Sequence, residues 1–155
     1  MKVQDYLNQQ GRKFELLTHS ETFDAQHMAE AVHVPGAQVA KTVVLQLDQG
    51  YRFAVAVLPA THQIDFKLIS QMLGGAAVEL ITKEQLAKHC LDCELGAIPP
   101  FGNLYGMMTL LDESLTQHDE ITFEGNRHCE SIRMKLQDFI ELEQPLTGVF
   151  AIPRE

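Results

Sequence analysis

Apolar residues recur along the chain with two spacings, and the switch between them divides it into elements. Val3 to Gln10 has helical spacing with Gly11 as its stop, and Phe14 to His19 alternates as a first strand. A turn is expected at Ser20 to Phe23. In "DAQHMAEAVHV", Met28, Ala29, Val32 and Val34 fall near one helical face, with Asp24 as N-cap and Pro35-Gly36 as the stop. "AKTVVLQLDQGYRFAVAVLPA" reads as a hairpin turning at Asp48-Gln49-Gly50, where Gly50 supplies positive φ. Its second arm is apolar at nearly every position from Phe53 to Leu58, which predicts burial on both faces and a central place in the sheet.

The alternation continues to the end. "IDFKLISQMLGG" predicts a helix from near Asp65 to Gly74-Gly75, "VELIT" a strand, and "KEQLAKHC" a helix. "YGMMTLLDESL", "EITFEGN" and "CESIRM" read as strands, "KLQDFIEL" as a last helix, and the remainder as a proline-broken tail. Strands and helices interleave without linker, repeat or low-complexity run. The expectation is one mixed α/β domain over residues 1–155, with a central, barrel-like sheet of about six or seven strands flanked by helices.

Composition narrows the functional classes. With 155 residues, 45% hydrophobic and 21% charged, the chain can bury a core without a disulfide or metal to hold it. No segment approaches the ~20 apolar residues of a membrane span and the N-terminus has no apolar signal core, so the expected compartment is the cytosol and no membrane partner is expected. Twelve basic against 21 acidic residues give a net charge of -9. That repels polyanions at long range and argues against binding along DNA, while leaving room for a contact of one lysine with one phosphate.

Two kinds of chemistry compete within "KHCLDCELGAIPPFGNLYG". Cys90, Cys93 and His89, with His128 and Cys129, supply enough ligands for zinc, but a second Cys-x-x-Cys is missing. A redox pair would sit at a helix N-terminus, where the dipole lowers the thiol pKa; here the pair trails a helix, so small semi-buried structural cysteines are the better reading. In the loop that follows, Gly96 removes the Cβ that would block a ligand and Pro99-Pro100 stiffen the chain, so that its N–H groups are aimed in advance at a developing oxyanion. A tight helix-to-strand connection would look the same.

Three side chains elsewhere add to the loop. Lys41 opens a buried strand, where a long cation suits a phosphate or carboxylate partner; Asp112 ends a strand; His128 lies just beyond another, three residues after Gly125. Each also has a plain alternative as a snorkelling lysine, a turn-forming aspartate or a solvated histidine.

Taken in order, "AKTVVL", "VLPATHQIDFKLISQMLGG", "GAIPP" followed by "FG", "LLDESL" and "GNRH" resemble the YbaK-type aminoacyl-tRNA deacylases, relatives of the editing insertion domain of bacterial prolyl-tRNA synthetases. The resemblance runs nearly end to end. It implies a trans-editing hydrolase that cleaves the ester between a small non-cognate amino acid and the tRNA 3' end, with no cofactor, metal or covalent intermediate. It implies that Lys41 contacts the terminal nucleotide's phosphate, and that Gly96, Ala97, Ile98, Pro99 and Pro100 hold the ester through their backbone, with Gly96 and Pro100 counted with Lys41 as catalytic. Thr42, Asp112, Gly125 and His128 are implied on the substrate side, His128 shaping the amino-acid pocket. Thr42 stands where some relatives that clear alanyl-tRNA carry asparagine, which leaves alanine, serine, threonine and cysteine open. An aminoacyl-tRNA synthetase is a candidate partner. The alternatives are an inert module of the same fold that binds a tRNA end or a protein, and a zinc or thiol protein using Cys90 and Cys93.

Overall fold

The computed structural model describes residues 1–22, 24–50, 52–94 and 96–154. In chain order the elements are α1 (Val3–Gln9), β1 (Glu15–Thr18), α2 (Ala25–Val32), β2 (Ala40–Leu47), β3 (Arg52–Pro59), β4 (His62–Ile64), α3 (Phe66–Met72), β5 (Val78–Leu80), α4 (Lys83–His89), β6 (Met108–Asp112), β7 (Glu120–Glu124), β8 (Glu130–Lys135), α5 (Leu136–Glu143), β9 (Leu146–Gly148) and β10 (Ala151–Pro153). The turn expected at Ser20 to Phe23 reaches Phe23, which lies outside the described residues, as do Tyr51 of the hairpin and Leu95 of the loop.

Local chemistry accounts for most of the boundaries. Asp24 caps α2 by accepting the His27 N–H at 2.8 Å, and Asp65 caps α3 by accepting those of Lys67 and Leu68 at 3.0 and 3.2 Å. Thr82 caps α4 through Gln85 N–H at 3.1 Å. The β2–β3 hairpin turns with Gly50 at φ +98°.

The strands among the described residues form three sheets. The largest is mixed, in the order β5-β2-β3-β6-β9, with β3–β6 and β6–β9 parallel and the other pairs antiparallel. A second, antiparallel sheet runs β1-β8-β7, and β4 pairs with β10. A parallel bridge from Val39 to Thr122 brings the first two sheets together beside the start of β2. The single barrel-like sheet of the sequence reading is therefore corrected to three sheets that do not close, with the mixed α/β class unchanged. The additional pairings come from β4, β9 and β10, each of three residues, too short to show a period.

As its apolar run predicts, β3 is covered on both sides. Val55 and Val57 join the core built around Phe101, Phe123 and Phe139, while Ala54, Ala56 and Leu58 face α3, Leu110 and Phe150. Phe101 meets Phe123 and Phe139 edge to face, with centroids 5.4 and 5.2 Å apart. Ile98 and Phe101 belong to the same core, which anchors the loop that carries them.

Candidate active site

A cavity of about 200 Å³ opens at the start of β2, lined by Asp24, Ala25, Ala40 to Val43, Gly96, Ile98 and Glu124. A second, more apolar hollow of about 210 Å³ shares Thr42, Val43, Gly96 and Ile98 with it and continues to Leu80, Ile81 and Leu86. Lys41, Thr42, Gly96 and Ile98, distant in sequence, thus meet at one place.

Lys41 is half-buried, and its Nζ donates to the His62 carbonyl oxygen at 2.6 Å. That contact fixes the ammonium at the strand's mouth. Desolvation lowers its pKa, Arg154 lowers it further, and Asp24 opposes them. A cation held in place and only partly neutralised is suited to a phosphate. Arg154 lies beyond β10, in what the sequence reading took for a tail, and adds positive potential at the same mouth.

The glycine and proline loop divides its work. Gly96 has φ +87°, a conformation in which any side chain is strained, and a Cβ there would stand 3.4 Å from His128 Cε1. Ala97 N–H donates to the Glu94 carbonyl and Phe101 N–H to that of Pro99, while the prolines have no N–H. The amides of Gly96 and Ile98 have no acceptor among the described residues, and both residues line the cavity. Among the described residues of the loop, these are two N–H groups left for a ligand. Ala97, Pro99 and Pro100 are buried and fix the path of the chain without lining the cavity.

Asn126 links this loop to the turn after β7. In the left-handed region at φ +77°, it donates its N–H to the Ala97 carbonyl at 3.1 Å and accepts Glu94 N–H at 2.8 Å. Its side chain accepts Val3 N–H at 3.0 Å and donates to Cys93 Sγ at 3.1 Å. Cys93 Sγ also lies 2.9 Å from the Tyr105 hydroxyl, and burial pushes the Cys90 thiol up to about 12 and raises that of Cys93. Both cysteines are tied into packing and kept as neutral thiols. Among the described residues no three His, Cys, Asp or Glu side chains are placed to share a metal ion.

His128 is 4% exposed and packs against Gly96, with Nδ1 at 3.7 Å from Glu124 Oε2. Gly125 is buried at the turn and pairs its N–H with the Glu130 carbonyl at 3.0 Å. Asp112 is not brought to the cavity. Its carboxylate accepts the N–H groups of Phe150 and Ala151, each at 2.9 Å, and the N–H and hydroxyl of Ser114. Glu124, which the sequence reading passed over, is 7% exposed, and burial together with the charges of Asp24 and Glu94 lifts its carboxyl to about 8.

The cavity thus brings together one held cation and a loop with two backbone N–H groups that have no acceptor among the described residues. Residues 19–142 match the model of the aminoacyl-tRNA editing domain. The chain belongs to that family. Membership makes this an aminoacyl-tRNA editing enzyme, with aminoacyl-tRNA as its substrate class. It is 26% identical over 142 residues to the Multifunctional Ser/Thr-tRNA deacylase ProXp-y of Escherichia coli strain K12, covering 90% of this chain and 84% of that one. Its fold is similar to that of a candidate trans-editing enzyme for prolyl tRNA synthetase, with TM-score 0.82 and 22% identity over 97% of this chain and 94% of that one. It is also similar to the hypothetical protein APE2540, with TM-score 0.86 and 16% identity over 97% and 99% of the two chains. Among the described residues no helix is long and apolar enough to cross a membrane.

Proposed function

We propose that this editing-domain protein acts in trans, as a single stand-alone unit in the cytosol, to remove serine or threonine from mischarged tRNA. The observation that carries the proposal is the meeting of Lys41 with the free amides of Gly96 and Ile98 in one cavity. The two amino acids are suggested by the 26% identical deacylase, and the size of the cavity is in keeping with small side chains.

Lys41, with Arg154 nearby, would hold the phosphate of the terminal nucleotide and so place the ester against the loop. An aminoacyl ester is an activated acyl group, and fixing it beside a water molecule removes much of the entropic barrier. As water adds to the carbonyl carbon, charge develops on the carbonyl oxygen; the N–H groups of Gly96 and Ile98, already oriented, stabilise it with little reorganisation. Collapse of the tetrahedral intermediate breaks the C–O bond to the ribose, the adjacent ribose hydroxyl assisting proton transfer to the leaving oxygen. Thr42 lines the cavity and would limit the amino acid, while His128, packed behind Gly96, would hold the loop that faces it, and Gly125 allows the turn that carries His128. A synthetase that generates the mischarged tRNA is the partner this role suggests.

The test is hydrolysis of a panel of mischarged tRNAs, including seryl-, threonyl-, alanyl- and cysteinyl-tRNA, by wild type and Lys41→Ala. Wild type is expected to release serine or threonine fastest, and Lys41→Ala to lower kcat/KM by about 10 to 100-fold, the worth of a charge-assisted contact. Binding without turnover on every member of the panel would leave an inert module and end the deacylase reading.

A further inference from the structure

The site holds one buried group that the chemistry above leaves unused. Glu124 closes β7 and lines the cavity with Lys41 and Gly96. Its Oε2 is inaccessible to water and has no hydrogen-bond partner among the described residues. His128 Nδ1, at 3.7 Å, is beyond hydrogen-bond reach. A carboxyl oxygen buried without a donor is costly, and a rotation of the Glu124 side chain towards the cavity it lines would bring that oxygen to a ligand's donor. Asp24, the other carboxylate of the cavity wall, is about half exposed and already engaged by the N–H and ring of His27, so it does not compete for that role.

The aminoacyl ester invoked above carries one basic group, the α-amino group, two bonds from the carbonyl carbon that the loop amides address. We propose that Glu124 is the acceptor for the substrate's α-ammonium group and makes this site selective for free aminoacyl esters over N-acylated ones. The inference rests on the reading of the cavity as a deacylase site. Burial lifts the Glu124 carboxyl to about 8, close to the ~7.7–8.0 of an ordinary α-amino group. At neutral pH both groups therefore arrive largely protonated, and the contact forms with release of one proton to solvent, the other being shared between carboxylate and amine. An N-acylated substrate has no basic nitrogen, and its added acyl group must enter a cavity of about 200 Å³. The same preference would spare peptidyl-tRNA, whose amino group is already an amide.

The experiment compares the full chain with Glu124→Gln and Glu124→Ala on seryl- and threonyl-tRNA, each free and N-acetylated. In parallel, it measures binding of 3'-serylamino-3'-deoxyadenosine and its N-acetyl form, which carry an amide where the ester stands and are not hydrolysed. Wild type is expected to favour the free forms by about tenfold or more in both kcat/KM and binding, and Glu124→Gln to reduce that ratio to about threefold or less, mostly through KM. Equal use of free and N-acetylated forms by wild type, a ratio preserved in both variants, or equal losses on both forms overturns the assignment. The last outcome would mark Glu124 as structural or as a base for water. The binding arm separates the two readings. Should wild type hydrolyse no aminoacyl-tRNA, the deacylase reading fails, while a free-amine preference lost in the variants still supports the ammonium contact. Absence of any binding preference in wild type overturns it.

Discussion

Glu124 should make this protein less stable as the solution becomes more alkaline. Its carboxyl is lifted from 4.5 to about 8, chiefly by burial, so between those values the folded state keeps a proton that the unfolded state has released. Stability then falls with rising pH, by up to ~1.4 kcal/mol per pH unit for this one group. Glu124→Gln removes the titration, and its stability relative to wild type is expected to rise by about 2 kcal/mol from pH 5 to pH 8, given relaxation around the charge. Urea denaturation of both proteins at pH 5, 6.5 and 8 measures the difference; a gap of constant size means that Glu124 ionises freely in the folded chain. Glu143 is also shifted up by burial, but it contributes to both proteins and cancels. The sequence displayed Lys41 because a cation opening an apolar strand is conspicuous. It concealed Glu124 because an acidic residue ending "EITFE" looks like the solvated end of a strand. What covers it is the approach of β7 to the start of β2 through the Val39–Thr122 bridge, a contact between segments far apart in the chain.

At the scale of elements, the C-terminal segment depends on one aspartate. Phe150 and Ala151 donate their N–H groups to Asp112 Oδ1, where β6 ends, and this holds the chain between β9 and β10. Asp112→Ala leaves buried N–H groups at Phe150 and Ala151 without an acceptor, at a cost of about 2–4 kcal/mol. Hydrogen exchange at Phe150 to Pro153 is expected to quicken well before that in β2 and β3, and exchange that quickens evenly over the chain would point to global loosening instead. The effect should also reach the cavity, because the same segment carries Arg154 towards Lys41. Asp112 ends a strand, as its place in "LLDESL" predicts, but its oxygens face the chain's own backbone and not the substrate side that the resemblance implies. Pro145, Gly148 and Pro153 made this stretch read as a tail. Its two strands pair with β6 and β4, and nothing local in three residues announces such a partner. The hairpin, α2 and α3 were legible because each has both a long apolar pattern and a chemical punctuation mark, Gly50, Asp24 and Asp65.

For the whole molecule, charge sets how tRNA can be held. A chain with net charge -9 meets a polyanion at a disadvantage everywhere except where its few cations gather, and Lys41 with Arg154 is such a place beside the cavity. A grip limited to one or two phosphates of a single-stranded 3' end predicts a shallow salt dependence, with a log Kd against log salt slope of about 1 to 2 in magnitude. Titrating tRNA binding from low to moderate potassium chloride measures it. A slope steeper than about 4 would require a basic surface much larger than this pair, and would move recognition from the acceptor end to the body of the tRNA. The shallow slope has a kinetic counterpart. Without long-range attraction, association is slow and encounters are brief, so the proposed discrimination has to come from the cavity itself, through the loop at Gly96 and Ile98 and the wall at Thr42 and Glu124. A protein that must leave correctly charged tRNA intact is better served by such weak capture than by a basic face that would hold every tRNA alike.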